Sequence, residues 1–296
     1  MTQLTPAPSR PVRKARDRGA GLAGPSRRSR AVTYTVLVLA LAATLMPFLW
    51  MLLGSFKTQG ELLRDPNGWL PESPTLVNFT TWLDDLHIGR YFLNSALVAV
   101  FTVLGNLLFC SMMGYALAKL DFPGKRLLFS LVMTMLMVPG AVTFVPLFVM
   151  VAKLGMIDTY PALILPFVAS PFGVFLMRQF ILDLPDELLE AARIDGAGQA
   201  RTFIRIVLPL CGPPLATLAI MTFLGSWNSF LWPLVASQTQ DKYTLPVALA
   251  LYSQGQDSTQ YGLLLAGSVL VITPMVALFI ALQRYFVQGI ASAGIK

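Results

Sequence analysis

The chain has 296 residues, of which 55% are hydrophobic and 12% charged. A soluble domain carries about a quarter charged residues to keep its surface hydrated, so this composition excludes an ordinary soluble protein. The formal net charge of +7 does not point to DNA or RNA, because no aromatic or motif signal accompanies the basic residues.

Much of the positive excess lies in residues 1–30, at Arg10, Arg13, Lys14, Arg16, Arg18, Arg27, Arg28 and Arg30, among Pro, Ser and Gly. Such a segment buries too little apolar surface to fold and is predicted to be a disordered cytoplasmic tail facing anionic lipid head groups. Residues 31–296 read as one membrane domain. Six windows lack Asp, Glu, Lys, Arg and His: 31–56, 91–118, 127–152, 159–177, 206–240 and 258–283. Each reaches the roughly 20 residues that cross a hydrocarbon core. Backbone groups in lipid must be satisfied within the segment, so each window is predicted to be helical. The expected fold is an all-α polytopic membrane protein with six transmembrane helices. In the first window Ala40-Leu41-Ala42 imitates a signal cleavage site, but the apolar run continues to Phe56, which predicts an uncleaved span.

Loop charges set the orientation. The tail, Lys119, Lys125, Arg126, Arg178, Arg193, Arg201, Arg205, Arg284 and Lys296 fall on one side, against Lys57, Arg64, Arg90, Lys153 and Lys242 on the other. The positive-inside rule then predicts that both termini are cytoplasmic. Prolines 47, 139, 146, 166, 171, 213, 214 and 274 interrupt the spans. Each frees a carbonyl and kinks its helix, through bundle packing or in a pathway that opens and closes. Cys110 and Cys211 sit inside apolar windows with no metal-site spacing and read as packing residues. The single histidine, His87, reads as a surface residue.

The cytoplasmic segment 178–205 is built as a stiff element. Pro185 suits a helix first turn, and Asp186 and Glu187 favour the positive end of its dipole. Leu188, Leu189, Ala192 and Ile194 offer a short apolar face, and Gly196 after Asp195 is expected at positive φ, where it ends the helix. A second helical stretch, 199–207, leads to Pro209. A short helix of this kind suits docking into another protein's groove.

Glu190-Ala191-Ala192, then Gly196, then Ile206-x-Leu208-Pro209, resembles the EAA loop of ABC importer permeases at every defined position. Gly114-Tyr115-Ala116-Leu117-Ala118-Lys119 with Phe122-Pro123-Gly124-Lys125, Trp227-Asn228-Ser229-Phe230-Leu231-Trp232-Pro233, and Gln283-Arg284-Tyr285-Phe286 are similar to the carbohydrate-uptake branch, on its shorter-permease side. The sequence departs at the basic tail and at Ser229, where the branch often has Glu or Gln. The resemblance implies a multi-pass permease in the cell membrane that works with a second homologous permease, two cytoplasmic ATPase subunits and an extracytoplasmic solute-binding protein. It implies that the coupling loop, 183–206, docks on an ATPase through Glu190, Ala191, Ala192 and Gly196, with Leu188, Leu189, Arg193, Ile194 and Asp195 beside them. No cofactor is then expected on this chain; ATP and Mg²⁺ belong to the partners.

The residues agree that ATP chemistry lies elsewhere. The only Gly-Lys pair, Gly124-Lys125, has Lys119 where a P-loop needs Gly and is followed by Arg126. No catalytic constellation accompanies it, so the chain is read as a non-catalytic subunit. Polar residues in apolar spans often face a bundle interior, which makes Asn94, Asn106, Ser226 and Asn228 pathway candidates. Trp227 and Trp232 either stack on sugar rings or anchor the span at the interface. The substrate reads as a sugar or oligosaccharide, with glycerol-3-phosphate or another polyol derivative as the alternative. An ion-coupled secondary transporter would need intramembrane carboxylates or an inverted repeat, and the windows hold neither.

Overall fold

The computed structural model describes residues 27–254 and 259–293, with backbone alone from 281 onward. The tail up to Ser26 and Lys296 therefore lie outside the described residues, as do the side chains of the Gln283–Phe286 motif. Every regular element among the described residues is helical, apart from one isolated bridge between Gln254 and Thr259. Helices of eight residues or more are α1 (Arg27–Gly54), α2 (Ile88–Lys119), α3 (Lys125–Met137), α4 (Gly140–Lys153), α5 (Pro171–Leu182), α6 (Asp186–Ile194), α7 (Gly212–Trp227), α8 (Leu245–Tyr252) and α9 (Tyr261–Ala293). The chain divides into two compact units at Leu49–Trp50. In the first, residues 31–49 of α1 are apolar on every face and exposed, as a lipid-facing helix is.

Three single helices are long and apolar enough to cross a bilayer: Arg30–Gly54, Ile88–Lys119 and Tyr261–Ile280. The other three windows are bent pairs. Lys125–Met137 and Gly140–Lys153 meet at 106°, Tyr160–Phe167 and Pro171–Leu182 at 41°, and Gln199–Leu210 and Gly212–Trp227 at 81°. Proline explains where these bends fall. Pro139 stands immediately before α4, Pro171 opens α5 and Pro213 sits in the first turn of α7. There the missing N–H has no intrahelical partner to lose. Pro47, Pro146 and Pro274 instead stay inside continuous helices.

The centre of the second unit is α2, against which α5 and α7 pack. Gly114 permits the closest approach: a Cβ there would lie 2.8 Å from Met177 Cβ and 2.9 Å from the Arg178 backbone nitrogen. Small residues bring membrane helices together in this way where hydrophobic driving force is absent. Cys110 and Cys211 are both fully buried in the adjoining cluster with Met177, Ile181 and Leu218, as packing residues. A second core joins Trp82, Tyr91, Trp227 and Leu245, and a third joins Val151, Leu163 and Trp232.

Candidate functional site

Pro185 stands just outside α6 as its N-cap, with φ −57° and ψ 132°, and Asp186 and Glu187 occupy the first turn. At the far end the Ala197 amide donates to the Ala192 carbonyl at 2.9 Å and the Gly196 amide to Arg193 at 3.0 Å. This is a Schellman closure with Gly196 at φ +74°, the conformation that glycine adopts without a Cβ penalty.

The expected apolar face is divided. Leu189, 7% exposed, packs in the cluster with Tyr115 and Phe203, and Ala192 is buried beside it on the same face. Residues three apart share a helix face, and Leu189 and Ala192 together form the face of α6 that is buried against its own chain. The outward surface is Leu188, Glu190, Ala191, Arg193, Ile194 and Asp195, and Ile194 is 86% exposed.

Both ends of this segment are tied to α2. Lys119 Nζ donates to the Leu184 carbonyl at 2.7 Å, the Leu182 carbonyl at 3.3 Å and Asp186 Oδ1 at 2.7 Å. Its side chain is 7% exposed while that of Asp186 is 74% exposed. The hydrogen bond and charge of Lys119 hold the Asp186 carboxyl below its ordinary value. One turn earlier, Tyr115 hydrogen-bonds Gln199 Oε1 through its hydroxyl at 2.8 Å, and its ring lies 5.4 Å from that of Phe203. Arg178 Nε donates to the Leu117 carbonyl while its guanidinium sits 3.8 Å over the Phe129 ring. The end of α2 is thus wrapped by cations, as its dipole favours.

A cavity of about 480 Å³ opens between α2, the segment Tyr160–Phe167, α5, α7 and residues 229–233. Its polar wall is Thr102, Asn106, Ser170, Thr222, Ser226 and Ser229, and Trp232 closes one side. Of the four asparagine and serine residues expected on the pathway, Ser226 and Asn106 line it. Trp227 does not line it: it is 2% exposed, donates from Nε1 to the Val271 carbonyl at 3.1 Å and stacks on Phe223 with centroids 5.5 Å apart. Asn94 does not line it either. It is buried, donates to the Asp241 and Tyr243 carbonyls at 2.9 Å and accepts from the Tyr160 hydroxyl at 2.7 Å, which leaves it a tie between elements. Asn228 is exposed beyond the end of α7. Asn106 and Trp232 do reach the cavity. Sequence reasoning missed Thr102, Ser170, Thr222 and Ser229; the spacing of Thr222, Ser226 and Ser229 by four and three residues, one helical face, was the available signal.

Residues 106–292, which take in α6, its attachments to α2 and most of the cavity, match the family of the binding-protein-dependent transport system inner membrane component. The chain belongs to this family. Among curated relatives, the permease is 44% identical to the arabinooligosaccharides transport system permease protein AraQ of Halalkalibacterium halodurans, over 84% of this chain and 90% of that one. It is 37% identical to the diacetylchitobiose uptake system permease protein NgcG of Streptomyces coelicolor, over 92% and 90%. It is 33% identical to the sn-glycerol-3-phosphate transport system permease protein UgpE of Salmonella typhimurium, over 88% and 95%. Its fold is that of a chain from a bacterial ABC transporter involved in the import of the acidic polysaccharide alginate, with a TM-score of 0.78 at 22% identity over 88% and 98%. The permease is therefore an inner-membrane transport component of an ABC importer, and its family comprises transport subunits rather than catalysts.

Proposed function

We propose that the permease carries a sugar or oligosaccharide inward and takes its energy from ATP and Mg²⁺ on two cytoplasmic ATPase subunits that grip α6. The carrying observation is the outward face of α6, with Glu190, Ala191 and Ile194 presented on a helix whose two ends are fastened to α2. An apolar side chain as exposed as Ile194 on a stiff helix suits a partner's groove. Glu190 pairs with a basic ATPase residue there, and Ala191 allows close approach. A second permease completes the pathway, an extracytoplasmic binding protein delivers solute, and six spans place both termini in the cytoplasm. The relatives named for arabinooligosaccharides and diacetylchitobiose support a saccharide over glycerol-3-phosphate by their greater identity.

Two results are expected. The permease purified alone hydrolyses no ATP, while the assembled complex hydrolyses it faster with solute-loaded binding protein; solute movement by the lone permease down a proton or sodium gradient would contradict this. In a Cys110→Ala, Cys211→Ala background, Thr80→Cys reacts with an impermeant thiol reagent in intact cells. Asp121→Cys and Ala200→Cys react only after the membrane is opened. Labelling of Asp121→Cys in intact cells overturns the orientation.

A further inference from the structure

Although the Thr102 hydroxyl, on the cavity wall, makes no hydrogen bond among the described residues, many hydroxyl side chains within the helices return theirs to the carbonyl four residues back. Thr44, Ser111, Thr134, Thr217, Ser268 and Thr273 all do so here. Thr222 and Ser226, on the same helix as Thr217, make no side-chain hydrogen bond among the described residues, and neither does Ser229 just beyond it. All three line the cavity between α2, α5 and α7. All three are half-exposed on the cavity wall, so their hydroxyls are open to whatever occupies the cavity.

The rest of the wall says what that occupant is. A volume of about 480 Å³ is that of a small-molecule pocket, since such pockets run from about 300 to 1,000 Å³. No lining residue is charged. A phosphate or carboxylate would call for Arg, Lys or converging backbone amides, because ionised oxygens are held by charge-assisted bonds. On the opposite wall Asn106 is already spent: it donates to the Phe167 and Thr102 carbonyls and accepts from the Ser170 hydroxyl at 2.8 Å. Trp232 is fixed as well, with Nε1 donating to the Ala162 carbonyl at 3.0 Å and Phe144 and Phe167 set edge-on to its ring, each 5.8 Å away. Trp232 is 5% exposed, so it contributes a narrow strip of ring to the cavity wall and no free donor. A row of free hydroxyls opposite a rigid aromatic wall matches the two characters of a sugar, hydroxyl edge and C–H face.

We propose that Thr222, Ser226 and Ser229, with Trp232, form a subsite for one uncharged sugar ring of the transported solute, which rests on the importer reading above. The row runs along α7 toward the break at residues 228–230, so a ring passing through exchanges one hydroxyl for the next. The subsite accepts neutral saccharides and excludes polyol phosphates.

The test uses the assembled importer in proteoliposomes, with radiolabelled arabinotriose, N,N′-diacetylchitobiose and sn-glycerol-3-phosphate as probes. The parent is expected to take up a neutral probe and to leave glycerol-3-phosphate outside. The triple variant Thr222→Val, Ser226→Ala, Ser229→Ala changes shape little. It should lower kcat/KM for uptake by about tenfold, as the loss of one to two net hydrogen bonds would, with binding-protein affinity and stimulated ATP hydrolysis kept. Ser226→Phe, which fills the cavity, should block uptake while ATP hydrolysis continues. Parental uptake by both variants at parental abundance overturns the subsite and leaves the importer standing, as does ATP-driven uptake of glycerol-3-phosphate by the parent. A parent that associates with no ATPase overturns the importer reading and the subsite together.

Discussion

Lys119→Met is expected to leave the permease inserted and bound to its ATPase but to cut solute uptake to a few per cent of the parental rate. Methionine keeps most of the apolar stem and removes the three donors. The Leu182 and Leu184 carbonyls, which precede α6, then lose the cation that ties them to the end of α2. Hydrogen bonds from a charged group contribute about 1.5–3 kcal/mol each. Screening at a site beside solvent reduces this, and a net loss of about 2 kcal/mol is a roughly thirtyfold shift in how often α6 is anchored. The bond to Asp186 adds little, since that carboxylate is exposed; Asp186→Asn should therefore be mild. Lys119→Arg should restore part of the activity by keeping the charge near the same carbonyls. The decisive readout is the ratio of ATP hydrolysis with and without solute-loaded binding protein. In Lys119→Met that ratio falls toward one while basal hydrolysis persists, because the ATPase still turns over but no longer reports to the membrane helices. Parental uptake and stimulation at equal membrane abundance would remove Lys119 from the coupling path.

What could be read in the sequence followed the range of the interactions involved. The limits of α6 were legible because a proline, an acidic first turn and a terminal glycine act within four residues of themselves. The apolar windows were legible because lipid burial is a matter of composition. The bends were only half legible. Each proline removes a donor, but Pro139 precedes a new helix at 106° while Pro146 lies inside a continuous one, and that choice depends on what packs against the helix. The two tryptophans of the 227–233 motif show the same limit. A break at residues 228–230 separates Trp227 from Trp232, which turns one ring onto the α9 backbone and leaves the other on the cavity wall. Asn94 looked like a pathway residue because it is polar in an apolar span, yet two of its partners are carbonyls about 150 residues away. In the sequence Lys119 carried a sign for the positive-inside rule and a place in a family motif; that its ammonium reaches the start of α6, 67 residues on, is a consequence of how α2 and α5 pack.

Gly196→Val is expected to abolish uptake while the permease remains in the membrane at near-parental abundance. The glycine closes α6 at φ +74°, and both closing hydrogen bonds, Ala197 to Ala192 and Gly196 to Arg193, depend on that conformation. A Cβ added at this position meets nothing within 4 Å, so the substitution is not a steric clash with the rest of the protein. Its effect is confined to the backbone, where a β-branched residue at positive φ is a genuine outlier and such strain costs about 1–3 kcal/mol. That is small against the packing of α2, α5 and α7, which persists, but it is released locally by opening the Schellman turn. Opening lets Ile194 and Asp195 depart from the helix and shifts the outward face that Glu190, Ala191 and Ile194 share. Gly196→Ala separates strain from bulk: it carries a smaller penalty at the same φ and should keep intermediate uptake, whereas Gly196→Asn, which tolerates the left-handed region best among other residues, should keep the most. The order Gly, Asn, Ala, Val in uptake and in ATPase retained on purification is the signature of a backbone-controlled docking surface. A valine variant that transports like the parent would show that the turn plays no part in coupling. Loss of all three variants from the membrane would assign the glycine to folding instead.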